Sequence, residues 1–246
     1  MASSDNVRKI DEAFDNIFTT TGFEFHKFKI GWYNDCVDTP FKLDCPSDTL
    51  AYLTISTPNM FEKSFLPYIT RVDCLDARDP IDQCVDTELQ KVKEALPDQE
   101  IEIIHDYDLH PNRRPKVLVQ TAGHVAGSAF YYQRKHMQKD PWDKDKNIFG
   151  VSIHPKYGGW FAFRGVVIFK DIQVPDLEQK DPPDVLPTDE LKQELLERFN
   201  DRWQDWSYRD IIPVEGKYSE QQKLYFGTAP KDRKQLLESM TKSHDA

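Results

Sequence analysis

The residue that most needs a chemical reason in this 246-residue sequence is an arginine set among aromatics. In HPKYGGWFAFRG, 154–165, a glycine turn feeds a run carrying Trp160, Phe161, Phe163 and Arg164. On the two-residue period of a strand, Trp160, Ala162 and Arg164 share one face, and Phe161 and Phe163 share the other. Buried arginines are usually paired, so one reading of Arg164 is a structural ion pair. The other is an anion clamp, because guanidinium is the planar fork that matches a carboxylate. Several arginines converging on one cleft would suit a ligand with more than one carboxylate, and Arg209 in WQDWSYRD and Arg233 in APKDRK are the further candidates.

Other reactive residue types are less specific. Trp203 and Trp206 are three apart on an expected helix, so they are neighbours, either packed core or a surface for a flat ligand. HPNRRPK, 110–116, sets two prolines around Arg113 and Arg114, a stiff basic loop for a phosphate or a salt-bridge network. His124 opens the small-residue run HVAGSA, where an imidazole can hydrogen-bond a ligand held against the glycine face. His105, His110, His124 and His154 form no HxH or HxxxH pair, and no metal site is expected. Cys36, Cys45, Cys74 and Cys84 contain no CxxC and read as reduced, small buried hydrophobes, none of them catalytic. No GxSxG elbow, Rossmann fingerprint or P-loop is present, and Gly158-Gly159 is followed by Trp rather than by a phosphate-cradling helix start.

The elements that must position these residues follow from patterning. Val7, Ile10, Phe14 and Ile17 mark one face of an N-terminal helix that stops at TTTG, 19–22. FEFHKFKIGW, 23–32, alternates with one slip after Lys27, which predicts a strand with a bulge or bend. Leu50–Ser56, Ile101–Ile104 and Val117–Val119 read as strands, Met60–Phe65 and Ile81–Leu96 as helices. The glycines and aromatics of 121–134 predict a helix that admits a close approach to its backbone. Strands are expected at 148–154 and 160–169. A Pro-rich surface crossover at 175–187 leads to helices at 189–210, 219–226 and 230–241. Strands and helices mix without regular alternation, so the fold class is α+β with a largely antiparallel sheet flanked by helices.

Composition sets the outer limits. Asp plus Glu exceed Lys plus Arg, 42 against 32, for a net charge of −10, which argues against broad contact with nucleic acid or anionic membranes. No apolar run approaches the roughly 20 residues of a bilayer span, and MASSDNVRK lacks a signal-peptide core, so a cytoplasmic protein is expected.

Taken in order along the chain, STPNMF, DPIDQCV, IEII with HPNRRPK, QTAGHVAG, SIHPKYGGWFAFRGVV and WQDWSYRD closely resemble the cobalamin C protein family. The resemblance covers about residues 7 to 240 in several long motifs. It implies a flavin nitroreductase-like fold with a C-terminal helical region. It also implies one cobalamin-processing domain over 1–246, with a core of about 1–174 and a helical cap of about 188–241.

The resemblance further implies that cobalamin is bound with its lower dimethylbenzimidazole base detached from cobalt. The upper ligand is then removed in two ways: reductive decyanation of cyanocobalamin, with electrons from reduced flavin (FMN or FAD) or a thiol, and transfer of the alkyl group of methylcobalamin or adenosylcobalamin to glutathione. Arg164, Arg209 and Arg233 match arginines associated with glutathione. His124 and Gly150 match positions near the detached base, and Gln133 matches one close to the corrin. Trp160 is taken as a further cobalamin-binding residue and Trp206 as a pocket aromatic. The implied partners are a cobalamin-trafficking adaptor, the methionine synthase system and, on cofactor binding, a second copy of the chain. A non-catalytic cobalamin carrier and a flavin-dependent nitroreductase-like enzyme are the competing readings.

Overall fold

The computed structural model describes residues 2–71 and 79–244. In chain order the elements are α1 (Ala2–Phe18), β1 (Phe23–Lys29), α2 (Ile30–Asn34), β2 (Thr49–Ser56), α3 (Leu66–Arg71), α4 (Pro80–Ala95), β3 (Ile101–His105), α5 (Val119–Val125), β4 (Phe130–Tyr132), β5 (Val151–Ile153), β6 (Ala162–Gln173), α6 (Asp189–Asp201), α7 (Glu220–Gly227) and α8 (Arg233–His244). Four strands form an antiparallel sheet in the order β1-β2-β6-β3, and β4 pairs antiparallel with β5 in a second, small sheet. No helix among the described residues is long and apolar enough to cross a membrane.

The main sheet is covered on both faces, and this explains β2, in which all eight residues are buried. Leu50 and Tyr52 pack with Phe14 of α1, Val85 and Leu89 of α4, and Tyr225 of α7. Ala51, Leu53 and Ile55 pack on the opposite side with Tyr33 of α2 and with Ala122 and Val125 of α5. A third apolar cluster joins Tyr132, Val151 and Ile153 of the small sheet to Leu195 and Leu196 of α6.

Several sequence expectations are corrected by this arrangement. The register of β1 on β2 is unbroken, so the slip after Lys27 is no bulge. Each face of β1 is apolar at one end only: Phe23 and Phe25 join the α1 side, whereas Phe28 joins the α5 side, leaving Glu24 and His26 on the latter face. The irregularity lies in β6, where Thr54 pairs with Gly165 and Ile55 with Phe163, so that Arg164 is the extra residue of a bulge. Gly165, at φ +133, accommodates it.

Val117–Val119 is no strand. The Leu118 N–H is taken by the Tyr33 hydroxyl at 3.0 Å, itself donated to Phe41 O, and α5 begins at the next residue. The helix expected over 121–134 ends at Val125, because Gly127 turns the chain at φ +73 and β4 follows. The close approach to its glycines is made by this chain's own atoms: a Cβ on Gly123 would stand 2.3 Å from the Phe163 ring. The helix expected over 189–210 stops at Asp201, and Trp206 adopts the left-handed conformation at φ 61. Trp203 is therefore exposed, away from any stripe shared with Trp206. The crossover at 175–187 is mostly exposed, as expected, and is anchored near its end, where the Tyr132 hydroxyl donates to Asp184 and accepts from the N–H groups of Val185 and Leu186, and Leu186 is buried. Cys84 is buried as expected, but Cys36 is exposed and Cys45 half-buried; Cys74 lies outside the described residues.

Candidate functional site

Two clefts adjoin α5. The first, of about 290 Å³, is lined by Asp106, Val119, Gln120, Ser152, Gly159, Phe161, Phe163, Phe199, Tyr208 and Arg209. Arg209 reaches it through a box of rings: its guanidinium carbon lies 5.6 Å from the Trp160 ring centre, 5.4 Å from Trp206, 5.1 Å from Tyr208 and 5.2 Å from Tyr218. Such contacts attract the cation to the ring faces and fix its position. One guanidinium nitrogen donates to Gly159 O, while Nε is buried without a partner. The Gly158-Gly159 pair is required by this approach, because a Cβ on Gly158 would stand 2.3 Å from Arg209 O and one on Gly159 2.9 Å from Arg209 Cα. Trp160 is itself buried, with its indole N–H donating to Asp210 at 2.7 Å and its ring edge-on to Trp206.

Arg164 stands beside this cleft at the bulge of β6. It is 7% exposed, its Nε donates to Ser56 Oγ at 2.9 Å, and no carboxylate closes an ion pair with it among the described residues. Asp82 and Asp106 are its electrostatic neighbours. Burial and the nearby Asp79 push the Asp82 carboxyl up to about 6. Burial also raises Asp106, against the pull of Arg164. Arg233 covers the ring of Tyr225 at 4.8 Å and donates through Nε to Thr228 O. Tyr225 is raised to about 12 by burial and by Asp79 and Asp82, so Arg233 and Arg164 border the same acidic patch.

The second cleft, of about 350 Å³, is lined by Cys36, Asp38, Phe41, Leu118, Thr121, His124, Tyr131, Gln133, Lys135 and His136. His124 Nδ1 accepts the Tyr131 N–H at 3.2 Å, so in the neutral ring Nε2 carries the proton and is a donor. Burial lowers the His124 pKa and favours that neutral form. Gln133 caps the turn 134–136. Gly150 adjoins the same residues: a Cβ there would meet the Tyr131 ring at 2.6 Å, Tyr132 O at 2.7 Å and Gln133 Cγ at 2.9 Å. The structure thus brings His124, Gln133 and Gly150 together, and separately gathers Trp160 and Trp206 around Arg209.

One cluster was not foreseen from spacing. The ligand-type atoms of Glu24, His26 and His154 lie within 4.8 Å of one another. Tyr157 donates to Glu24 Oε1 at 2.6 Å, and both histidine Nε2 atoms stand 3.8 Å from Oε2. The carboxyl is held at about 2: burial opposes this, but the adjacent His26 imidazole, the Tyr157 hydrogen bond and the nearby His154 prevail. As a metal site the trio is poorly presented. His154 Nδ1 accepts the backbone N–H groups of Lys156 and Tyr157, which puts the ring proton on the Nε2 that would have to coordinate. Burial lowers His154 to about 4 and keeps it neutral. The basic loop is exposed at Arg113 and Arg114, with Arg113 at φ 64 and His110 N donating to Arg114 O.

Sequence reasoning missed Asp82, Asp106 and Ser56. In so acidic a chain no spacing singles out two aspartates, and only the register of β3 on β6 sets Asp106 beside Arg164.

Comparison with known proteins places this geometry in a family. The sequence profile of MMACHC, the methylmalonic aciduria and homocystinuria type C family, matches residues 22–237. A chicken protein named cyanocobalamin reductase / alkylcobalamin dealkylase is 52% identical over 229 residues, 93% of this chain and 96% of its own length. The human protein of the same name is 47% identical over 94% of this chain and 82% of its own length. The crystal structure of a C. elegans B12-trafficking protein, CblC, superimposes with a TM-score of 0.88 at 35% identity, covering 96% of this chain and 97% of that one.

Proposed function

Because this chain belongs to the methylmalonic aciduria and homocystinuria type C family, we propose that it processes cobalamin as its relatives' names state, by reductive decyanation of cyanocobalamin and dealkylation of alkylcobalamins. Identity of 46% to 52% over most of the chain to relatives bearing both activities in their name supports the enzymatic reading over a mere carrier.

The finer assignment is a division of labour across α5. His124, Gln133 and Gly150 take the side of the detached lower base, where the benzimidazole nitrogen released from cobalt is an acceptor and His124 Nε2–H is a donor. Arg164, Arg209 and Arg233 take glutathione, whose two carboxylates need cations. Trp160 and Trp206 serve by holding Arg209. The observation that carries the thiol-donor site is Arg164: a residue 7% exposed whose hydrogen bond leaves by Nε to Ser56 and which forms no ion pair among the described residues, so that its two terminal nitrogens remain for a carboxylate.

Dealkylation is then a displacement at carbon. Glutathione gives up its thiol proton, the thiolate sulfur forms a bond to the alkyl carbon, and the cobalt–carbon pair of electrons departs with cobalt as cob(I)alamin. The protein's part is to hold sulfur in line with that carbon. Loss of the lower ligand favours the same departure, which is why base-off binding belongs to the mechanism. Decyanation draws its electrons from outside the chain, from a thiol or from reduced FMN or FAD.

Around this activity we place a nitroreductase-like core at about 1–174 and a helical cap at about 188–241 in one domain, acting in the cytoplasm. The cobalamin-bound chain would pair with a second copy and hand its product to a trafficking adaptor and the methionine synthase system; co-purification from cytosol after cobalamin loading tests that hand-over. The activity itself is tested by an anaerobic absorbance time course of methylcobalamin with the protein, with and without glutathione, while assaying S-methylglutathione. A base-off spectrum that gives way to cob(I)alamin and the thioether only with glutathione is expected. Base-off binding without turnover would replace the enzyme by a carrier, and no binding would leave a nitroreductase-like enzyme.

A further inference from the structure

The three arginines account for carboxylates, yet the space beside Arg164 is also acidic. Asp106 lies one step beyond β3 in register with Arg164, its N–H donating to Arg164 O at 3.3 Å, so the two are cross-strand neighbours at the open end of the sheet. Asp106 also lines the cleft that Arg209 enters, and its Oδ1 is buried without a hydrogen-bond partner. Asp79 Oδ1, at the start of α4, is buried and unpartnered too. Arg164 does not consume these oxygens, since its hydrogen bond goes to Ser56 and no ion pair forms among the described residues. A desolvated carboxylate oxygen with nothing to accept from is costly unless a donor arrives.

We propose that Asp106, supported by Asp82, is a recognition site for an α-ammonium group, and that with Arg164 it reads the free amino-acid end of the thiol donor as a zwitterion. This deepens the glutathione reading and rests on it. The γ-glutamyl end of glutathione carries an α-carboxylate and an α-ammonium on one carbon, so a guanidinium fork and a carboxylate side by side match it. Arg209 or Arg233 then remains for the glycine carboxylate at the other end. The rival explanation, that the aspartates merely neutralise Arg164, predicts an ion pair that is absent among the described residues. Burial raises both carboxyls against the pull of Arg164, and a further cation arriving beside Asp106 would favour its ionised form.

The test compares two thiol donors, glutathione and its des-amino analogue N-glutaryl-cysteinylglycine, with methylcobalamin as alkyl source. It uses the wild-type protein and Asp106→Asn, an isosteric change. With wild type, kcat/KM for glutathione is expected to exceed that for the analogue by about tenfold or more, the worth of a charge-assisted hydrogen bond. Asp106→Asn is expected to raise KM for glutathione by about tenfold, leave KM for the analogue within about twofold, and leave the cobalamin-binding spectrum intact, which also reports that the variant folds. Equal efficiency of the two donors with wild type, or an equal loss for both in the variant, overturns the assignment of Asp106. If wild type yields no thioether from either donor, the glutathione reading itself falls and the proposal goes with it.

Discussion

The two clefts beside α5 differ in how their polar side chains are spent. Around His124 the side chains are tied to backbone: His124 accepts from Tyr131 N–H, and Gln133 caps the following turn. Burial lowers both His124 and His136. That side is pre-set, with its imidazoles kept neutral by burial and only Asp38 and Lys135 charged in its lining, and suits a large ligand placed by shape. On the other side the charges are buried with little local compensation. Arg209 is held by four rings and Arg164 by a serine, beside aspartates raised by desolvation. Charges kept in this way cost stability, and they are useful when a charged ligand completes them.

Four substitutions break or sharpen that contrast. The largest effect is expected from Arg164→Ala, which removes a buried charge-assisted contact. Glutathione-dependent dealkylation should fall about 10- to 100-fold while the cobalamin Kd stays within about threefold, read by thioether formation and spectral titration. Gly150→Ala should do the opposite. A methyl group 2.6 Å from the Tyr131 ring forces repacking worth about 1–3 kcal/mol, so cobalamin binding should weaken about tenfold and Tm fall by several degrees, with KM for glutathione unchanged. Trp206→Ala takes one of four rings from Arg209 and should raise KM for glutathione about two- to fivefold, the size of one cation–π contact.

The smallest effect concerns pH. The Asp82 carboxyl titrates near 6 in the folded protein, above its usual 3.8, so between these values the folded state binds the extra proton and stability falls as pH rises. Asp82→Asn removes that decline. The difference in Tm between variant and wild type should therefore grow from pH 4 to pH 6 and level off above it; a flat difference would show that Asp82 ionises normally.

What the sequence disclosed follows the same division. Periodicity found α1 and α4, which each present one apolar face to the sheet, whereas β2 and β3 were legible as short apolar, β-branched runs because β2 is buried on both faces and β3 feeds both layers. It failed where a single long-range contact overrides local preference: Leu118 bonded to Tyr33 instead of a strand partner, Gly127 ending α5, and Trp206 in a left-handed turn splitting the expected helix. The motifs carried Arg164, Arg209, His124 and Gly150 as candidates, and the resemblance grouped the arginines with glutathione and His124 and Gly150 with the lower base, but no spacing showed the contacts within each group. That the Trp160 ring packs on Arg209, and that the Asp106 N–H meets Arg164 O, depends on register and loop closure that no spacing encodes.

The most direct test of the division between the clefts is a paired measurement on Arg164→Ala and His124→Ala. Methylcobalamin is titrated anaerobically into each by absorbance, and S-methylglutathione formation is then followed against glutathione concentration. A crossed pattern is expected: Arg164→Ala binds cobalamin base-off normally and loses glutathione dependence, whereas His124→Ala binds cobalamin more weakly and keeps the wild-type KM for glutathione once saturated. Parallel loss of both properties in either variant would mean that the two clefts act as one site, which contradicts the division of labour across α5.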